Sequence, residues 1–132
     1  MSDLKSKQVL VMRKFKNQRT GKFVAQGAHA SLGALLSIAK FDANKNQLII
    51  PLHNPFVESW LKGMFRKITV YVDTAEEILE LFEQAKALGL PCALIEDNGL
   101  TEYNGVKTIT ALGIGPGDPA LIDTLTGNLS LF

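Results

Sequence analysis

The chain has 132 residues, 46% of them hydrophobic and 20% charged, which suits one globular domain with a core of its own. No run approaches membrane-spanning length and nothing at the N-terminus reads as a signal peptide, so a cytoplasmic protein without membrane association is expected. The lone Cys92 excludes an internal disulfide or a cysteine zinc site, and a formal net charge of +1 argues against a uniformly basic nucleic-acid binder.

The distribution of charge is less even than its sum. Residues 1–22 hold seven basic side chains (Lys5, Lys7, Arg13, Lys14, Lys16, Arg19, Lys22) against Asp3 alone. Residues 73–97 hold seven acids against Lys86 alone. This asymmetry suits a basic face for an anionic partner, although ordinary solvated charge reads the same way from composition.

In chain order, "KQVLVMRK" (7–14) is short, β-branched and bounded by charge, which predicts a buried strand. A polar turn, "FKNQRTG", leads into a helix from Lys22 to about Lys40, with Val24, Ala28, Leu32, Leu35 and Ala39 on one apolar stripe. Residues 41–55 interrupt with Asn, Asp and Pro, and "QLII" inside them suits a short strand. Pro55 opens a short helix that Gly63 stops. "RKITVYVD" (66–73) alternates like a strand, and Asp73 with Glu76 predicts a capping box for the next helix. That helix would bury Ile78, Leu79, Leu81, Phe82 and Ala85 and end at Gly89 and Pro91. "PCALIE" and "KTITALGIG" are further strands around a turn-rich loop, and "GDPALIDTLTG" is a helix with Asp118 as cap and Pro119 at its first position. The alternation predicts a single α/β domain over 1–132. Its expected form is a three-layer α/β/α arrangement with a small four-stranded mixed sheet.

Two stretches could carry chemistry. In "TGKFVAQGAHA" (20–30) a lysine follows a glycine, but the Walker pattern fails because Lys16 stands where its first glycine belongs and Phe23 where its hydroxyl belongs. "GIGPGD" likewise misses the dinucleotide fingerprint at Asp118. What remains is a helix whose positive end carries Lys22, with Gln26, His29 and Gly33 following at three- and four-residue steps. The plainer readings are a solvated first-turn lysine and a hydrogen-bonded structural histidine. His53 reads as surface loop, and two histidines do not support a His-rich metal site. The second stretch is "EDNGLTEYNGVKT" (96–108), where Asp97 ends a strand and Thr101 and Thr108 flank the loop. A carboxylate there could orient or deprotonate water, or Asp97-Asn98-Gly99 could simply be good turn chemistry. No G-x-S-x-G elbow is present and Cys92 lies in an apolar strand, so a covalent nucleophile is not expected.

Taken together, these stretches resemble the type II peptidyl-tRNA hydrolases of archaea and eukaryotes. The helix motif G-K-x-x-A-Q-x-x-H-A is matched by Gly21, Lys22, Ala25, Gln26, His29 and Ala30. The loop motif is matched by Asp97, Gly99 and Thr101, and the closing strand T-x-T-x-L-x-I-G-P by Thr108, Thr110, Leu112, Ile114, Gly115 and Pro116. The resemblance runs through nearly the whole chain. It departs at 41–55, which is longer than the usual connection, and at 102–107, which lacks the usual proline.

The resemblance implies hydrolysis of the ester between a peptide and the terminal ribose of tRNA, by a homodimer that needs no metal or organic cofactor. It implies Lys22, Asp97, Thr101 and Thr108 as the active cluster, with Gln26 and His29 beside them. Lys14, Lys16 and Arg19 are expected to meet phosphate. A non-catalytic RNA- or protein-binding module on the same scaffold is the rival reading. A small-molecule α/β enzyme is disfavoured because no cofactor fingerprint survives.

Overall fold

The computed structural model describes residues 4–99 and 105–132. Its strands are β1 (Lys7–Arg13), β2 (Lys40–Asp42), β3 (Gln47–Ile49), β4 (Lys67–Val72), β5 (Cys92–Asp97) and β6 (Thr108–Gly117). Its helices are α1 (Thr20–Leu36), α2 (Pro55–Lys62), α3 (Ala75–Ala87) and α4 (Pro119–Thr126).

Four strands form one mixed sheet in the order β4-β1-β6-β5. β1 pairs with β4 in parallel and with β6 antiparallel, and β5 pairs antiparallel with β6. Alternate residues of β1 enter different cores, which explains why Val9, Leu10, Val11 and Met12 form a continuous apolar run rather than alternating. Val9 and Val11 pack with Ile78 of α3 and Ile122 of α4, while Leu10 and Met12 pack with Ala30 of α1. Helices thus cover both faces, giving the expected three layers.

Several local readings shift by a residue or a face. Thr74, not Asp73, caps α3: its hydroxyl accepts from Glu77 N at 3.2 Å and donates to Glu77 Oε1 at 2.9 Å, a side-chain cap one step later. Leu79, expected in the core, is exposed, whereas Ile78, Leu81 and Ala85 are buried. Asn54 and Asp118 cap α2 and α4 through bonds to Phe56 N and Ala120 N, with a proline next in each case.

The apolar stripe predicted on α1 is not the one that packs. Val24 and Leu32 are 66% and 58% exposed; of the predicted stripe Leu35 is buried, and the helix otherwise buries Gln26, Gly27, Ala30 and Ala34. Small residues win because α1 lies almost against β6: a Cβ on Gly113 would stand 2.1 Å from the Ala30 carbonyl oxygen. The helix also stops at Leu36, short of Lys40, because Lys40–Asp42 pairs with Gln47–Ile49 as a two-stranded hairpin. Phe41 and Leu48 on that hairpin are exposed.

The C-terminal ends of β1, β4 and β5 and the start of β6 share one edge of the sheet, as the register of Arg13 with Val72 and of Asp97 with Thr108 requires. The N-terminus of α1 returns over this same edge, the usual place for ligand sites in open α/β sheets.

Candidate active site

Lys22 and Gln26 are one turn apart on α1, so both reach towards the end of β5. There the Lys22 ammonium lies 2.7 Å from Asp97 Oδ2, and Gln26 Nε2 donates to the same oxygen at 2.8 Å. The Gly99 backbone N–H donates to Asp97 Oδ1 at 2.6 Å. Gly99 has a φ of +77° and lies against the Val106 backbone, so only glycine can aim its amide this way. Its carbonyl accepts from Gly105 N at 2.7 Å, closing a loop neck between Gly99 and Gly105.

These contacts hold the Asp97 carboxyl below the usual aspartate range. The Lys22 bond contributes most, then the Gly99 amide, against an opposing effect of burial. The ion pair is largely sheltered, with side chains 17% and 16% exposed, so water screens it less than a surface pair. A carboxylate offers roughly four lone-pair directions. Among the described residues three donors point at them, which leaves room to accept a hydrogen from water.

Gln26 is buried, and its amide orientation is set from behind. Thr110 Oγ1, also buried, donates to Gln26 Oε1 at 2.8 Å. With the oxygen so engaged, the amide must turn its NH₂ towards Asp97. A β-bulge makes this possible. Ile95 pairs with Ala111 but Glu96 with Ile109, so Thr110 is an extra residue in β6. Bulges of this kind re-aim a side chain. Thr108, expected in the cluster, instead donates its hydroxyl to the Val106 carbonyl at 2.8 Å, so the described network takes the other threonine of the T-x-T motif. Strict alternation of a strand cannot foresee a bulge. The only sequence signal for Thr110 was its place in that motif.

The remaining expected residues fall around this cluster. His29 is exposed on α1 and outside the hydrogen-bonded group, because the buried face of the helix passes through Gln26 and Ala30. Lys14, Lys16 and Arg19 are exposed in the β1–α1 connection, at the same edge as Lys22. Thr101 lies outside the described residues. Among the described residues, no three His, Cys, Asp or Glu side chains group to hold a metal, and no helix is long and apolar enough to cross a membrane.

The sequence profile of the family described as "Peptidyl-tRNA hydrolase PTH2" matches residues 6–132. The chain belongs to this family. A peptidyl-tRNA hydrolase of Methanopyrus kandleri is 42% identical over 125 residues, covering 95% of this chain and 97% of that protein. One from Methanocaldococcus jannaschii is 36% identical over 126 residues, covering 95% and 98%. A protein of unknown function from Agrobacterium tumefaciens shares the fold, with a TM-score of 0.51 at 12% identity, over 100% of this chain and 99% of that one. As a peptidyl-tRNA hydrolase, the chain is an enzyme that hydrolyses the ester of peptidyl-tRNA. The reading as a non-catalytic binding module is thereby set aside. In this family member, the Lys22–Asp97–Gln26 cluster lies where the helix and loop motifs meet in space.

Proposed function

We propose that Asp97 and Lys22 are the catalytic residues of this peptidyl-tRNA hydrolysis, and that Gln26 and Thr110 position them. The observation that carries this reading is the convergence of three donors on one sheltered carboxylate. With its pKa lowered, Asp97 is ionised and accepts a hydrogen bond from the attacking water, fixing its direction. As the ester carbon becomes tetrahedral, negative charge grows on the former carbonyl oxygen. Lys22, at the positive end of α1, stabilises that charge. The water's proton passes to Asp97 as the carbon–oxygen bond to water forms. It is handed on to the ribose oxygen as the ester carbon–oxygen bond breaks, so the tRNA leaves with its terminal hydroxyl and the peptide with its carboxyl. Neither step needs a covalent intermediate. Thr101 belongs to the same assignment by its place in the loop motif, and Thr108 supports the loop neck through Val106 rather than touching substrate.

The basic residues Lys14, Lys16 and Arg19, exposed beside the cluster, support RNA binding through phosphate, and His29 offers a further exposed contact on α1. The exposed Val24 and Leu32 support the homodimer that the family resemblance implies, since an apolar helix stripe is ordinarily covered. A cytoplasmic enzyme that recycles tRNA from stalled translation is the setting that fits this activity.

The two threonines separate the assignment from its alternative. Thr110→Val keeps shape but removes the donor that orients Gln26. It should lower kcat by roughly tenfold or more, the scale of a lost hydrogen bond to a charged group, and Thr110→Ser should restore most of it. Thr108→Val should change kcat much less. Steady-state cleavage of peptidyl-tRNA by the three variants decides this, and a larger loss for Thr108→Val would reverse the two roles.

A further inference from the structure

We propose that Phe23, Tyr71 and Phe132, with the Lys14 ammonium over them, form a platform on which the 3′-terminal base of the tRNA stacks. The proposal rests on the catalytic assignment of Lys22 and Asp97. The Phe132 ring meets Phe23 edge-on with centroids 4.9 Å apart, and meets Tyr71 at 6.0 Å. Lys14 Nζ lies 4.4 Å from the Tyr71 centroid and 5.8 Å from that of Phe132. Backbone bonds fix the cluster to the free edge of β4: Phe132 N donates to the Thr69 carbonyl and Tyr71 N to the Ser130 carbonyl, both at 3.1 Å. Phe132 nevertheless remains 47% exposed. An immobilised ring with half its surface open is suited to receive another flat group.

Position decides which group. Phe23 follows Lys22 on α1, so the platform flanks the same helix N-terminus as the reacting ester, on its β4 side where Asp97 lies on its β5 side. The nucleotide nearest that ester is the terminal one, and it is single-stranded. Single-stranded RNA ends are recognised by aromatic stacking combined with cations for phosphate. Lys14 sits over the rings, and Lys16 and Arg19 are exposed in the same connection, so this side of the site is cationic. A peptide of arbitrary sequence has no fixed charge or ring to match it, whereas a nucleotide has both. The base then stacks on the aromatic cluster while its phosphate meets Lys14.

The test pairs wild type and Phe132→Leu with two substrates: ordinary peptidyl-tRNA, and peptidyl-tRNA whose terminal nucleotide lacks its base. Leucine keeps apolar packing but has no π face, and a thermal melt checks that the fold survives. Either change alone should raise KM by about 5- to 50-fold, the scale of one stacked base, and both together should do little more than one. Lys14→Gln should also raise KM and flatten its salt dependence. Independent multiplication of the two effects, or an unchanged KM in Phe132→Leu, overturns the platform. Coupling of Phe132→Leu to peptide length instead of the base assigns the surface to the peptide and also overturns it. Asp97→Asn run in parallel keeps the outcomes distinct. Its wild-type turnover would remove the catalytic assignment itself, whereas its inactivity without coupling at Phe132 removes only the platform.

Discussion

Replacing Asp97 with Asn should lower kcat by about 10²–10⁴-fold, the range set by losing a positioned acid–base group. The substitution changes little in size, so its effect comes from hydrogen bonding. All three described partners of this carboxylate are donors: Lys22 Nζ, Gln26 Nε2 and Gly99 N. An Asn amide must place its own NH₂ towards either the Lys22 and Gln26 pair or Gly99, so a donor faces a donor in both orientations. Lys22 also loses its counter-charge. Single-turnover cleavage with enzyme in excess measures the chemical step, and circular dichroism should show the fold unchanged. Retention of more than about a tenth of wild-type kcat would mean the carboxylate is not at the reacting centre.

Gly113→Ala should have the largest effect on stability. The added Cβ would stand 2.1 Å from the Ala30 carbonyl oxygen, 2.8 Å from its carbon and 3.0 Å from the Ala34 Cβ. Two of these are backbone atoms, which cannot move aside as a flexible side chain can. Either α1 lifts from β6 or the sheet bends, and both disturb the layer containing Leu10, Met12, Ala30 and Ala111. Overpacking of this kind costs about 1–3 kcal/mol, and backbone contact this close sets the expectation at or above the upper end. Denaturant unfolding measures it. Gly27→Ala serves as the control, because its Cβ would meet only side chains at 3.8 and 3.9 Å. Lifting α1 also carries Lys22 and Gln26 away from Asp97, so activity in Gly113→Ala should fall with stability.

The elements were largely legible because each carried a local signal: apolar β-branched runs for β1 and β4, and cap residues with prolines for α2 and α4. Errors arose where a distant contact overrode the local pattern. The apolar stripe of α1 looked like its buried face, but the close approach to Gly113 demands small residues, so Ala30 and Ala34 face inward and Val24 and Leu32 outward. The hairpin of β2 and β3 was half visible in "QLII" and lacked any signal in "KFD". Spacing and motif single out Lys22, Gln26 and Asp97 as candidates, yet only the fold shows that Lys22 and Asp97, 75 positions apart, form one ion pair. Nothing in a strand sequence marks the extra residue that turns Thr110 towards Gln26. His29, a step beyond Gln26 in the same motif, points to solvent because the helix turns its inner face through Ala30.

The central claim is that an ionised Asp97, held by Lys22, organises the reaction, and its pH dependence follows from the direction of the shift. The folded carboxyl lies below the ordinary aspartate value of about 3.9, chiefly through Lys22. Activity and the stability of the pair are therefore present above that value and are lost only as pH falls through the depressed one. Removing Lys22 takes away the largest cause and raises the pKa. The deciding measurement is the single-turnover pH–rate profile of peptidyl-tRNA cleavage for wild type and Lys22→Ala. Wild type should show no acid limb between pH values of about 5 and 7, while the residual activity of Lys22→Ala should show its acid limb moved to higher pH. An acid limb at the same pH in both proteins, or Lys22→Ala turning over like wild type, would contradict the account.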